Sequence, residues 1–196
     1  LIPGLVNAHC HLDYTDFAGA IPSTHSFTDW IRAMVDLKAD VDDAAHRQSW
    51  LRGAQQCLRH GITTLGNIET RLNVLPELWY QTPLRMVSFL EIILLKRESD
   101  SAQELGKLKA WVQEHVPPHG CVGLSPHAPY TTKIELLEGC AEFGDLPMTM
   151  HVGESAEEDQ MFREGVGAMF DFLTEAGRDM NDCAGQSPLT NAQRAG

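Results

Sequence analysis

The chain is poor in positive charge. Over 196 residues, 15 lysines and arginines stand against 27 acidic residues, a formal net charge of −12 at neutral pH. The imbalance concentrates between Ile134 and Cys183, where thirteen acidic residues face only Arg163 and Arg178. A nucleic-acid backbone or an anionic lipid surface needs a basic footprint, so neither is expected as a partner. The acidic stretch reads instead as solvated outer helix faces. No apolar run approaches the roughly 20 residues of a membrane-spanning helix. No basic segment precedes the apolar first residues, so no signal peptide is expected, and for a chain opening on Leu1 the true start is expected to lie upstream or to have been removed. Paired cysteines are also missing. Cys10, Cys57, Cys121, Cys140 and Cys183 are odd in number and widely spaced. That fits reduced thiols packed as small hydrophobes in a cytoplasmic protein, not a disulfide framework. Finally, no G-x-G-x-x-G follows a strand, which leaves a dinucleotide-binding sheet without support.

What is present is an ordinary globular composition, 43% hydrophobic and 21% charged, with apolar runs alternating with helical patterns. Strands are expected over 1–9, 62–65, 84–94, 121–124 and 146–152. Helices are expected near 30–37 behind the cap box Ser26-Phe-Thr-Asp29, and over 43–59, 75–80, 101–116 and 133–143. A further helical stretch runs over 155–176, with a break around Gly165-Val-Gly167, and Thr190 to Gln193 reads as a helix start. The order is βα repeated about five times. The strands are apolar on both faces, as in a parallel sheet covered by helices. Trp50, Trp79 and Trp111 fit helix-to-sheet packing, and Met34, Met161 and Met169 fit helix cores.

Three strand exits carry chemistry-bearing residues. In "LVNAHCHLDYT" (Leu5 to Thr15), His9 and His11 point the same way, about 6.6–6.8 Å apart along a strand, while Cys10 points into the helix layer. Two imidazoles on one face can chelate one metal ion, although H-x-H alone is a weak signal. In "LSPHAPYT" (Leu124 to Thr131), Pro126 and Pro129 fix the backbone on both sides of His127. In "MTMHVGESAEE" (Met148 to Glu158), His151 ends an apolar run and Glu154 follows three residues later. Taken alone, Glu154 reads equally as a helix N-terminal acid favoured by the helix dipole, as Glu157 and Glu158 are expected to be. In a parallel barrel such exits converge on one face, where active sites form. Glu91, in "SFLEII", sits near the end of the third strand and is a candidate for the pocket lining. Trp30 reads more readily as core or lid than as a substrate contact. His25, His46, His60, His115 and His119 are assigned no role.

On "PGLVNAHCHLD", "GLSPHAPYT" and "MHVGES", in this order and spacing, the chain resembles the amidohydrolase superfamily. It is nearest the branch of chlorohydrolases and of S-adenosylhomocysteine, methylthioadenosine and aminofutalosine deaminases. The resemblance implies an α/β fold, a (β/α)8 TIM-barrel-type metal-dependent hydrolase, incomplete. Residues 1–196 would form a partial (β/α) barrel catalytic domain of about the first five βα units. The N-terminal β-sandwich segment and barrel strands 6–8 would be absent, and a sixth-strand histidine and an eighth-strand aspartate are expected beyond Gly196. Such an open barrel, by itself, is expected to be poorly soluble and inactive.

The resemblance further implies that His9, His11 and His151 ligate one divalent metal ion, zinc, with Fe2+ as the alternative. Glu154 would shuttle protons during attack by metal hydroxide, and His127 would line the pocket and hydrogen-bond the substrate. Trp30 and Glu91 are the other candidate substrate contacts. "CVGLSPH" contains no lysine, so a single metal is expected rather than a pair. The implied activity is hydrolysis of C–N bonds, in particular hydrolytic deamination of an amino-substituted heterocycle or nucleoside-like small molecule. Nucleoside-recognising members carry a glutamate after the tryptophan-containing helix that follows the first strand, and "FTDWIRAMVDLKADV" has none in that place, which weakens an adenosine-type substrate. The rivals are dechlorination or amide hydrolysis at the same site, and a non-catalytic relative with a binding or structural role. Whether the full-length protein forms a homo-oligomer is left open.

Overall fold

Short side chains with free oxygens, Ser26, Asp42, Asp100 and Ser155, open four of the helices, and Gly165 in left-handed conformation closes one of them. The computed structural model describes residues 1–193. The first helices are α1 (Phe27–Ala39) and α2 (Asp43–Arg59), capped by Ser26 accepting from Asp29 N and Asp42 accepting from Ala45 N. Next come α3 (Leu75–Trp79), α4 (Ser101–Glu114, capped by Asp100) and α5 (Ile134–Ala141). The long C-terminal helical stretch is divided as its glycines predict: α6 (Ala156–Glu164) ends on Gly165 at φ 66°, and α7 (Ala168–Glu175) opens after Gly167 at φ 106°. A short helix, α8 (Pro188–Gln193), follows.

Four parallel strands, β1 (Leu5–Cys10), β2 (Ile62–Glu69), β3 (Arg85–Ile92) and β4 (Gly120–Pro126), lie in sequence order in one sheet. Each pair is joined through helical segments, the connection that parallel pairing requires. The outer face is covered in two patches. Trp50, Ala54 and Cys57 of α2 pack with Leu65, Leu78 and Met86. Trp79, Leu108, Leu136 and Cys140 pack on Leu90, Val122 and Leu124. On the inner face Phe89 lies across two glycines: a Cβ on Gly123 would stand 2.6 Å from its ring, and one on Gly66 would meet Ala8 O at 2.3 Å. The absence of a side chain at Gly66 therefore lets β1 approach β2 and lets the aromatic fill the inner layer. A third apolar cluster, Tyr130, Met161, Phe162, Met169 and Leu173 with Phe27 and Ile31, ties α1, α6 and α7 together beyond the strand exits.

Three expectations are corrected. The fifth strand over 146–152 is not a regular strand. Its link to β4 is a single bridge, Leu124 to Met148, with Leu124 N donating to Pro147 O and Thr149 N to Leu124 O. Pro147 has no N–H to extend the ladder, and among the described residues the segment has a strand neighbour on one side only. Second, β1 is not covered on both faces: Leu5 is 52% and Val6 70% exposed, and Met148 on the opposite edge is 47% exposed. Both are sheet edges carrying apolar side chains. Third, Cys121 is exposed, not buried, whereas Cys57 and Cys140 are buried.

Behind the β1 exit sits a buried polar group the sequence did not single out. Glu69 is 2% exposed, accepts from Trp50 Nε1 at 3.0 Å, and its other oxygen has no partner. Burial pushes its carboxyl up from the ordinary 4.5 to about 8, so it is protonated near neutrality. The folded chain then holds a proton that the unfolded chain has released. The stability this contributes is complete below pH 4.5 and is lost as pH rises to about 8. A Glu69→Gln variant, which mimics the protonated acid, is expected to lose less stability than the parent across that interval. Thermal melts at a series of pH values check this, and parallel pH slopes for the two proteins would contradict it.

Candidate metal centre

β1 delivers His9 and, immediately after its last residue, His11. The chain is anchored there by Asn67 of β2, whose Oδ1 accepts from Leu12 N at 3.0 Å. His151 reaches the same place from the irregular fifth segment because its N–H donates to His127 O at 2.9 Å. His127 N in turn donates to Ile92 O at 3.0 Å, at the β3 exit. Main-chain bonding between neighbouring exits thus brings together residues more than a hundred positions apart. One ring nitrogen from each of His9, His11 and His151 lies within 4.8 Å of the others. The His127 ring stands 5.3 Å from that of His151, centroid to centroid.

The electrostatics suit a cation. Burial, with the neighbouring His9 and His151 rings, lowers His11 to about 3. Burial and His151 lower His9, and the same two causes lower His127 to about 4. These imidazoles are therefore neutral, the form that donates a lone pair to a metal. The buried Nδ1 of His11 has no hydrogen-bond partner. His151 behaves differently: Glu154 Oε1 lies 3.3 Å from its Nδ1 and raises its pKa, which leaves Nε2 as its free nitrogen. A carboxylate behind a histidine is the usual outer partner of a metal-bound imidazole. A small pocket of three ring nitrogens, two from imidazoles held neutral and one from an imidazole backed by a carboxylate, fits a divalent ion such as zinc.

Glu154 is held at three points. Its Oε2 accepts from the Tyr130 hydroxyl at 2.7 Å, its Oε1 faces His151, and its main-chain N–H donates to Glu158 Oε2 at 2.7 Å. Burial alone would raise its pKa, but the bonds from His151 and Tyr130 outweigh it and the net shift is downward. Its side chain keeps 26% exposure, so it remains open to solvent and to a bound molecule.

Glu157 and Glu158 stand in the first turn of α6, yet they do more than complement a dipole. Glu158 is fully buried and fixes Glu154. Glu157 caps the start of α1, accepting from Phe27 N at 3.1 Å, from Thr28 N at 2.9 Å and from the Thr28 hydroxyl. That clamp ties α1, and with it Trp30, to the segment carrying Glu154. Trp30 is 37% exposed and stacks on Phe27. Glu91 follows Leu90 and precedes Ile92, which both pack outward, so its carboxyl takes the inner side of the sheet. Its Oε1 is buried without a partner.

Sequence reading missed Tyr130, Glu158, Tyr14 and Lys38. Tyr14 stacks on His11 at 4.8 Å and receives a hydrogen bond from Lys38 Nζ at 2.8 Å. Tyr130 lay inside the motif around His127, and a hydroxyl next to a proline-fixed imidazole was the available signal. His46, assigned no role, is buried with Nδ1 3.9 Å from Asp13. A cleft of about 650 Å³ opens elsewhere on the strand-exit side, among residues such as Arg97, Asp100, Lys133 and Asp182, and its lining includes none of the clustered histidines.

A model of the amidohydrolase family matches residues 1–183. The chain is similar to the 5'-deoxyadenosine deaminase of Methanococcus aeolicus, 26% identical over 172 residues, 84% of this chain and 40% of the relative. It is also similar to the aminodeoxyfutalosine deaminase of Deinococcus radiodurans, 29% identical over 180 residues, 87% of this chain and 41% of the relative. Among solved structures it superposes on the atrazine chlorohydrolase of Arthrobacter aurescens complexed with zinc. The TM-score is 0.74 at 17% identity, over 99% of this chain and 46% of that one. The chain thus spans about two fifths of the length of the curated relatives. The shared architecture is a (β/α)8 barrel, of which the four parallel strands form a part.

Proposed function

This chain belongs to the amidohydrolase family, and on that premise we propose that it supplies the metal-binding half of a hydrolytic deaminase acting on an amino-substituted heterocycle or nucleoside-like small molecule. One observation carries the reading: three imidazole nitrogens within 4.8 Å of one another, with Glu154 3.3 Å behind one of them. His9, His11 and His151 would hold one divalent ion, zinc. When bound, such an ion lowers the pKa of water toward 7 and so supplies a nucleophile at neutral pH. The kinship with 5'-deoxyadenosine and aminodeoxyfutalosine deaminases supports a carbon bearing an exocyclic amine as the centre attacked.

The chain's own residues account for binding and proton movement. Glu154, ionised and within reach of solvent, takes the proton of the attacking water at Oε1 or Oε2 and delivers it to the departing nitrogen. The Tyr130 hydroxyl on one oxygen and His151 on the other hold the carboxylate still while it does so. His127, neutral and fixed by the 2.7 Å contact between its Nδ1 and Thr131 Oγ1, presents Nε2 to the substrate. Glu91 offers an unpaired buried oxygen for a substrate N–H or O–H, and Trp30 on the clamped α1 covers the far side.

The complete gene product, loaded with zinc, is expected to release ammonia from at least one 6-aminopurine nucleoside or related aminoheterocycle, measured by a coupled ammonia assay. Release of chloride from chlorinated triazines without any ammonia would move the reading to dechlorination. Absence of both activities, together with failure to hold stoichiometric zinc, would reduce the protein to a non-catalytic relative.

A further inference from the structure

We propose that Arg178 is a positioning residue for Glu154, acting through the main chain of Tyr130; this rests on the reading of Glu154 as the proton carrier. Arg178 follows α7 and is 9% exposed. All of its donor directions are used. Nε donates to Tyr130 O at 2.9 Å and Nη2 to Pro129 O at 3.1 Å. Nη1 donates to Asp179 O at 2.7 Å, and both terminal nitrogens meet the Asp182 carboxylate at 2.7 Å. Asn191 Nδ2 donates to Asp182 Oδ2 at 2.8 Å, fixing the counter-charge in turn.

The guanidinium sits where the loop needs it. Tyr130 is 3% exposed, so its carbonyl is cut off from bulk water and would be costly to leave unpaired. Pro126 and Pro129 remove two N–H groups from this segment, which limits how it can bond to itself. A planar fork that binds two successive carbonyls sets the orientation of the peptide between them. That orientation decides where the next side chain points, and the side chain of Tyr130 ends on Glu154 Oε2 at 2.7 Å. Lysine, a single point charge without a fork, cannot hold two carbonyls and a bidentate carboxylate together.

The test uses the intact protein labelled with ζ-13C tyrosine, with the Tyr130 resonance assigned by its loss in Tyr130→Phe. In metal-free protein that resonance is expected to shift in Glu154→Gln, and to shift in the same direction in Arg178→Lys. In zinc-loaded protein, Arg178→Lys is expected to lower kcat by more than about 10-fold with little change in KM. In a Tyr130→Phe background the same substitution should cost kcat almost nothing, while its effect on melting temperature persists. Where Arg178→Lys does not fold, Asp182→Asn, which loosens the fork and leaves the arginine in place, carries the same expectations. An unmoved Tyr130 resonance, or an undiminished kcat loss in the Tyr130→Phe background, overturns the proposal. A parent protein without turnover on any substrate would overturn the proton-carrier reading, while the resonance still decides whether Arg178 sets the phenol.

Discussion

Glu154→Gln is expected to lower kcat by about 10²–10⁴-fold, the usual contribution of a positioned acid–base group, with close to one zinc per chain retained. The substitution is nearly isosteric. With its amide oxygen in the place of Oε1 the side chain can still accept from His151 Nδ1, and its amide nitrogen can donate to the Tyr130 hydroxyl oxygen, so the ring and the metal nitrogens should stay where they are. What disappears is the ability to take up a proton and give it back. Rate measurement with parallel metal analysis checks both halves. Full turnover with zinc bound would remove Glu154 from the reaction. Loss of zinc together with activity would show instead that the carboxylate acts mainly as the outer partner of His151.

His11→Ala is expected to have the second large effect, on metal rather than on chemistry. His11 is the most deeply placed of the three clustered rings, its Nδ1 has no other partner, and burial with its neighbours holds it neutral at about 3. Removing one of three nitrogens should weaken zinc binding by more than about 100-fold, the upper end of what loss of a mere outer partner costs. His127→Ala serves as the contrast. His127 stands beside the cluster and not within it, so that variant is expected to keep zinc and lose turnover. Competition with a chelator of known affinity reads the metal, and ammonia release reads the activity. Equal zinc affinity in His11→Ala and the parent would remove His11 from the ligand set.

The helices show how far local chemistry reaches. Ser26, Asp42, Asp100 and Ser155 each cap the helix that follows, and Gly165 and Gly167 divide the last long helical stretch where glycine is expected to. Those signals act within a turn of chain and do not depend on what packs against them. Strands are less self-contained. The stretch 146–152 has the apolar pattern of a buried strand but is left at an edge, and Pro147 breaks its ladder. Burial of a strand is conferred by its neighbours, and period-two patterning cannot report whether they are there.

The sequence by itself determined that His9, His11 and His127 stand at or just past strand ends, because alternation along a strand and proline-fixed turns are local properties of the chain, whereas Glu154 was singled out only by the family resemblance. Only the tertiary structure decided how that carboxylate is held. Tyr130, Glu158 and Arg178 act on it through hydrogen bonds that close across separate segments. Such bonds depend on where the backbone of one segment places its donors relative to another, and no spacing within either segment encodes that distance.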